Sequence, residues 1–95
     1  MQTRSGDFEL TMDELRAIAG YAVACAEPVL VLFQRACPDD PRPAVAIHAA
    51  RVFAEGAPRS RLQRTAAVDA HRAARDATTE VARHAASAAG DAAAA

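Results

Sequence analysis

Apolar positions recur at intervals of three and four residues in the first third of the chain: Leu15, Ile18, Ala22, Cys25, Val29 and Leu32. That spacing is one face of a 3.6-residue helix. Ala19, Ala26, Leu30 and Phe33 broaden it into the wide stripe of a core-facing helix. Thr11 precedes the stretch and Glu14 follows three residues later, a capping box in which each side chain serves the other residue's backbone N–H. Asp13 and Glu14 also place negative charge at the positive end of the helix dipole. The pattern predicts one long helix from Thr11 to about Ala36, holding most of the large apolar residues and forming the core. Pro28 interrupts it. Proline has no N–H and its ring crowds the carbonyl four residues back, here Ala24, at a cost of roughly 3 kcal/mol. The first helix is therefore expected to be bent at Pro28. Val29–Phe33 could pair as a strand, but no other segment offers a partner.

Three prolines in Cys37-Pro38-Asp39-Asp40-Pro41-Arg42-Pro43 end that helix, and Asp39 or Asp40 can cap the next. A second helix is predicted over roughly Pro41 to Glu55. Val45, Ala49, Val52 and Phe53 form its apolar side, His48, Arg51 and Glu55 its polar side, and Ile47 falls outside the stripe. Gly56 suits the residue after its end. Ser60 and Gln63 form a second capping box, opening a third helix to about Arg75 or Ala77. Its core face reads Leu62, Ala66, Ala70, Ala73 and Ala77. Asp76–Glu80 is either a short turn or a weak point in a longer helix. Thr78 or Thr79 can cap a fourth helix from Glu80 to about Ala89, with Gly90 and Asp91 loosening the chain.

These elements predict an all-α fold, a small bundle of three to four helices. The expected organisation is a flexible lead-in over residues 1–10 and a single helical domain over 11–91. Residues 92–95 would then be disordered or the start of an unfinished helix.

Composition limits the core. The 95 residues include one Tyr, three Phe and no Trp, and alanine dominates after Arg64, so burial per helix is small. Help from a second subunit would suit such a chain. All eleven basic residues are Arg. Residues 1–58 hold five Arg against eight acids and 59–95 six against four, an imbalance too small to argue for nucleic acid. Cys25 and Cys37 lie twelve residues apart, about 18 Å along a helix, too far for a disulfide. Two free thiols, Cys25 in the core, suit a reducing cytoplasm. The polar opening residues do not read as a signal peptide, and no apolar run is judged long enough for a membrane span.

Chemistry-bearing patterns are absent. His48, His71 and His84 are spaced by 23 and 13 residues, which matches no common zinc pattern. The four glycines stand alone, so no phosphate loop forms, and no serine lies in a nucleophile elbow. The expectation is a non-enzyme with no catalytic residue, no cofactor and no metal. His71 sits among small residues, as at a helix–helix boundary, where a structural role is expected. Arg72–Asp76 and Glu80–Arg83 have ion-pair spacing.

The run Leu15–Ala22 continuing through Cys25-Ala26-Glu27 and Val29-Leu30 to Phe33, the turn Asp40-Pro41-Arg42-Pro43, the segment Ala50–Gly56 and Ala70-His71-Arg72-Ala73-Ala74-Arg75 belong together. In combination they resemble a family of short Ala/Arg-rich helical proteins described as immunity proteins of bacterial polymorphic toxin systems. The resemblance covers about residues 11–91. Relative to the family pattern the chain looks shortened at its C-terminal end, and some members carry Trp or Phe in place of Tyr21. The resemblance implies a cytoplasmic protein that neutralises a toxin by occluding its surface. Asp39, Asp40, Arg42, Arg51 and Glu55 are the candidate partner-binding residues, with Arg side chains as expected hot spots. The alternative is a structural, self-assembling helical module without a toxin. Expected partners are thus a protein toxin or further copies of the chain, with neither membrane nor nucleic acid.

Overall fold

The computed structural model describes residues 10–95, which form four helices and no strand. They are α1 (Met12–Ala36), α2 (Arg42–Ala54), α3 (Arg61–Asp76) and α4 (Glu80–Ala94). The all-α expectation holds. The lead-in expected over residues 1–10 lies, apart from Leu10, outside the described residues.

Local signals set the helix starts. The Thr11 hydroxyl accepts the Glu14 N–H at 3.1 Å, and the Glu14 carboxylate accepts the Thr11 N–H at 2.8 Å. At α3, Gln63 Oε1 accepts the Ser60 N–H at 3.1 Å. Thr79 resolves the ambiguous segment before α4, because its hydroxyl accepts the Ala82 N–H at 3.1 Å. Asp40 acts one residue further out than a usual cap, accepting the Arg42 N–H at 3.1 Å, while Pro43 sits in the first turn. Gly56 closes α2 with φ at +119°, a conformation L side chains rarely adopt.

α1 continues through Pro28 as one helix. Ala24 and Pro28 are both exposed, so the carbonyl that loses its partner lies on the wet side. α1 also contains an 18-residue window of mean hydropathy 1.6, long and apolar enough to cross a bilayer by length and composition. That corrects the expectation that no run approaches this length: counted singly, Gly20 and Glu27 break the run, but the window average is high. Within the fold only 17% of that window is buried.

Packing departs from the pattern in which faces turn inward. α4 packs against each of the other three helices, whereas the backbones of α1 and α3 do not approach. α1 buries Ala19, Val23, Ala26 and Phe33, and exposes Ile18, Cys25 and Leu32 from the predicted stripe. Cys25 is therefore not a core residue. α2 buries Pro43, Ala46, Ile47, Ala50 and Phe53, so Ile47 is in the core while Val45 and Val52 are exposed. α3 inverts only one position: its alanines are buried and Leu62 is exposed. The cause is common to all three. Alanine-rich faces can approach closely, so small residues line the contacts and several larger ones are left outside.

The largest fully buried side chains are Phe33, Phe53, Ile47 and Pro43. Phe33 packs with Ala73, Ala77, Ala82 and Ala86 at one end of the bundle. Ile47 packs with Val23, Ala70, Ala89 and Ala93 in the other part of the core. Phe53 is flanked by the guanidinium groups of Arg16 and Arg59, each 4.7 Å from the ring centre. Arg16 also donates to the carbonyls of Phe53 and Ala57, satisfying the end of α2.

The C-terminal segment corrects another expectation. α4 does not loosen at Gly90 and Asp91 but runs on to Ala94, with Ala92 and Ala93 buried. Gly90 faces His71, and a Cβ there would lie 2.7 Å from His71 Nε2. A side chain at position 90 would displace the ring from its seat between α3 and α4, and Asp91 approaches the same nitrogen at 3.5 Å. The structural role expected for His71 has this physical form.

Candidate functional site

Val45, His48, Ala49 and Val52 of α2 and Leu62, Thr65, Ala66 and Asp69 of α3 line a shared recess, with Val45, Val52 and Leu62 exposed. Because α2 turns Ile47 and Phe53 inward, Val45 and Val52 have nowhere to go but outward. Because the alanines of α3 take its contacts, Leu62 is displaced in the same way. The Glu55–Ser60 connection holds the two helices side by side through Gly56 and Pro58. The result is an apolar groove of about 360 Å³ between α2 and α3. Val45 is 53% exposed and Leu62 75% exposed at its edges.

Gln63 lies in the groove lining and is only 4% exposed. Its Oε1 is fixed by the Ser60 N–H, which leaves Nε2 as a buried donor with no hydrogen-bond partner. Leaving a buried donor unpaired costs about 1–3 kcal/mol. His48 and Asp69 add polar groups to the lining. Exposed apolar walls around a few polar groups suit an apolar side chain and backbone of another protein. Among the described residues no group of three or more His, Cys, Asp or Glu is placed to hold a metal ion.

The five residues expected to bind a partner do not converge. Asp39 is exposed in the α1–α2 turn. Asp40 and Arg42 form a bidentate pair, with Nη2 to Oδ2 at 2.7 Å and Nε to Oδ1 at 2.9 Å. Arg42 also reaches Asp76 at 3.1 Å, tying the start of α2 to the end of α3. The Arg42 hydrogen bonds hold the Asp40 carboxyl below its ordinary pKa. Arg51 pairs with Glu27 across the α1–α2 contact. Glu55 is exposed at the other end of α2, about 20 Å from Arg42 by helical rise. The proposed Arg72–Asp76 and Glu80–Arg83 pairs are replaced: Arg72 approaches Asp69, and Arg83 donates to the Ala77 carbonyl.

The groove residues Val45, Val52 and Leu62 were legible only as core positions, and Gln63 only as a cap. The available signal was the competing face of α2, where Pro43, Ile47 and Phe53 together outweigh Val45 and Val52.

A family model described as Imm-5 like putative immunity protein matches residues 9–95. No curated protein and no solved structure matches the chain.

Proposed function

The chain belongs to the Imm-5 like putative immunity protein family, and from that premise we propose that it neutralises a cognate protein toxin by binding and occluding it, without catalysis. The contact surface is the α2–α3 groove. One observation carries this assignment: Val45, Val52 and Leu62 stand exposed together around a groove with a buried, unpartnered amide donor. Apolar anchors at the centre of a patch contribute most of the binding energy in protein interfaces. Asp39 and Glu55 remain as exposed charges at either end of α2, suited to steering the encounter rather than to its strength. Cys25 and Cys37 are unpaired, which supports a reducing, cytoplasmic setting.

The test is co-expression with any toxin gene found adjacent to this one. The wild-type chain should protect cells and co-elute with the toxin. Leu62→Arg and Val45→Arg should remove both effects while leaving helicity unchanged, since both side chains are exposed. Full protection by both variants would contradict the groove assignment. Absence of protection and of a complex with the wild-type chain would contradict the immunity role.

A further inference from the structure

Glu14, Ile18, Tyr21, Cys25, Pro28, Leu32 and Arg35 follow one another at alternating intervals of four and three residues. That is a heptad seam along one side of α1. All seven are exposed in the fold, and Tyr21 is 76% exposed. The seam lies away from α2 and the α2–α3 groove, because α1 meets α2 through Arg16, Glu27 and other positions on its opposite side. Its centre is apolar, its N-terminal end is the acid Glu14 and its C-terminal end is the base Arg35.

We propose that this seam is the interface with a second copy of the chain, paired antiparallel about a two-fold axis at Cys25. The charge order selects this occupant. The midpoint between Glu14 and Arg35 falls beside Cys25. An antiparallel pair thus sets each Glu14 against the partner copy's arginine, Ile18 against leucine, and Cys25 against itself. A parallel pair would set acid on acid and base on base, which is unfavourable. Such an isologous contact is self-complementary by symmetry.

The seam also borders a matching recess. Cys25, Val29, Leu32, Val81, His84 and Ala88 line an apolar groove of about 350 Å³ between α1 and α4. In the antiparallel register the tyrosine of each copy lies opposite Pro28, beside this groove. Pairing along the seam thereby covers Tyr21, the most exposed large hydrophobic side chain among the described residues. A bilayer would cover the apolar centre but would not select opposite charges at the two ends.

The experiment combines sedimentation over a range of concentrations with cysteine oxidation. The wild-type chain should sediment as a dimer of the 9.9 kDa subunit. Mild copper-catalysed oxidation should yield a covalent dimer that Cys25→Ser abolishes and Cys37→Ser leaves intact. Tyr21→Ala and Arg35→Glu should each weaken the dimer by tenfold or more with unchanged circular dichroism. Adding Glu14→Arg to Arg35→Glu should restore dimerisation above the Arg35→Glu level, which loss of the Glu14 cap alone would not do. A monomer at every concentration would overturn the proposal. So would a dimer that ignores these substitutions and gives no Cys25 cross-link. Flotation of the wild-type chain with phospholipid vesicles, lost in Tyr21→Ala, would assign the seam to a bilayer and overturn it as well.

Discussion

α1 and α4 divide size and centrality in opposite ways. α1 holds Tyr21, Phe33, three of the five leucines and three of the seven valines, whereas α4 has no apolar residue larger than Val81. Yet α4 buries seven of its 15 residues and α1 buries four of its 25, so the helix with the smaller side chains is the one enclosed. Interaxial distance depends on the side chains at the contact, and alanine and glycine allow neighbours to approach on several sides. A helix with large residues on much of its circumference cannot be surrounded so closely. In a chain this rich in alanine, large residues anchor the bundle at a few points and otherwise remain on its surface.

The contrast can be broken at several points, beginning with the anchors. Phe33 is fully buried against the alanines of α3 and α4. Phe33→Ala should cost about 3–5 kcal/mol in denaturant unfolding. Tyr21→Ala, an equally large deletion on the outer side of the same helix, should stay within about 0.5 kcal/mol once the chain is monomeric. Similar losses in both would mean that α1 has no distinct outer side.

Enlarging α4 is the converse operation. Ala89 is 0% exposed, and Ala89→Leu should cost about 1–3 kcal/mol by overpacking. Ala24→Leu on the exposed side of α1 should be nearly neutral by the same thermal melt.

Gly90 sharpens the comparison through a change of sign. Replacing a helical glycine by alanine ordinarily stabilises by about 1 kcal/mol. Here the added methyl would meet the His71 ring, so Gly90→Ala should gain nothing or destabilise. In a His71→Ala background the ordinary gain should return. A double-mutant cycle on melting temperature measures the coupling, and no coupling would mean that His71 is not seated on Gly90.

The smallest effect concerns the Asp40–Arg42 pair. The folded pKa of Asp40 lies below its unfolded value, so its contribution is present above the unfolded pKa. That contribution is lost as pH falls through the folded pKa. The stability difference between wild type and Asp40→Asn should therefore be greatest near neutrality and shrink through the acidic carboxylate range. A difference that grows on acidification would reverse the assignment.

Much of this architecture is legible in the chain, but unevenly. Helix starts at Thr11, Ser60 and Thr79 are readable because a cap acts over three residues. The stop at Gly56 is equally local. The direction each helix faces is not. When most positions are alanine, a valine draws the predicted face toward itself, although Ile47, Phe53 and the alanines beside them make the contacts. The groove is illegible for the same reason, because Val45 and Leu62 read as core positions. The small residues around His71 point to a helix boundary, but its neighbour Gly90 lies on another helix and locally reads as a weak point. Of the charged candidates, Asp40, Arg42 and Arg51 are engaged in ion pairs within the fold, whereas Asp39 and Glu55 are exposed.

Native-state hydrogen exchange tests the central place of α4 most directly. Amides from Ala85 to Ala93 should be among the slowest to exchange, with protection approaching that of global unfolding. The same helix should remain protected when the seam of α1 is disrupted by Tyr21→Ala. Rapid exchange through Gly90 and Asp91, with the slowest amides confined to α1, would contradict it.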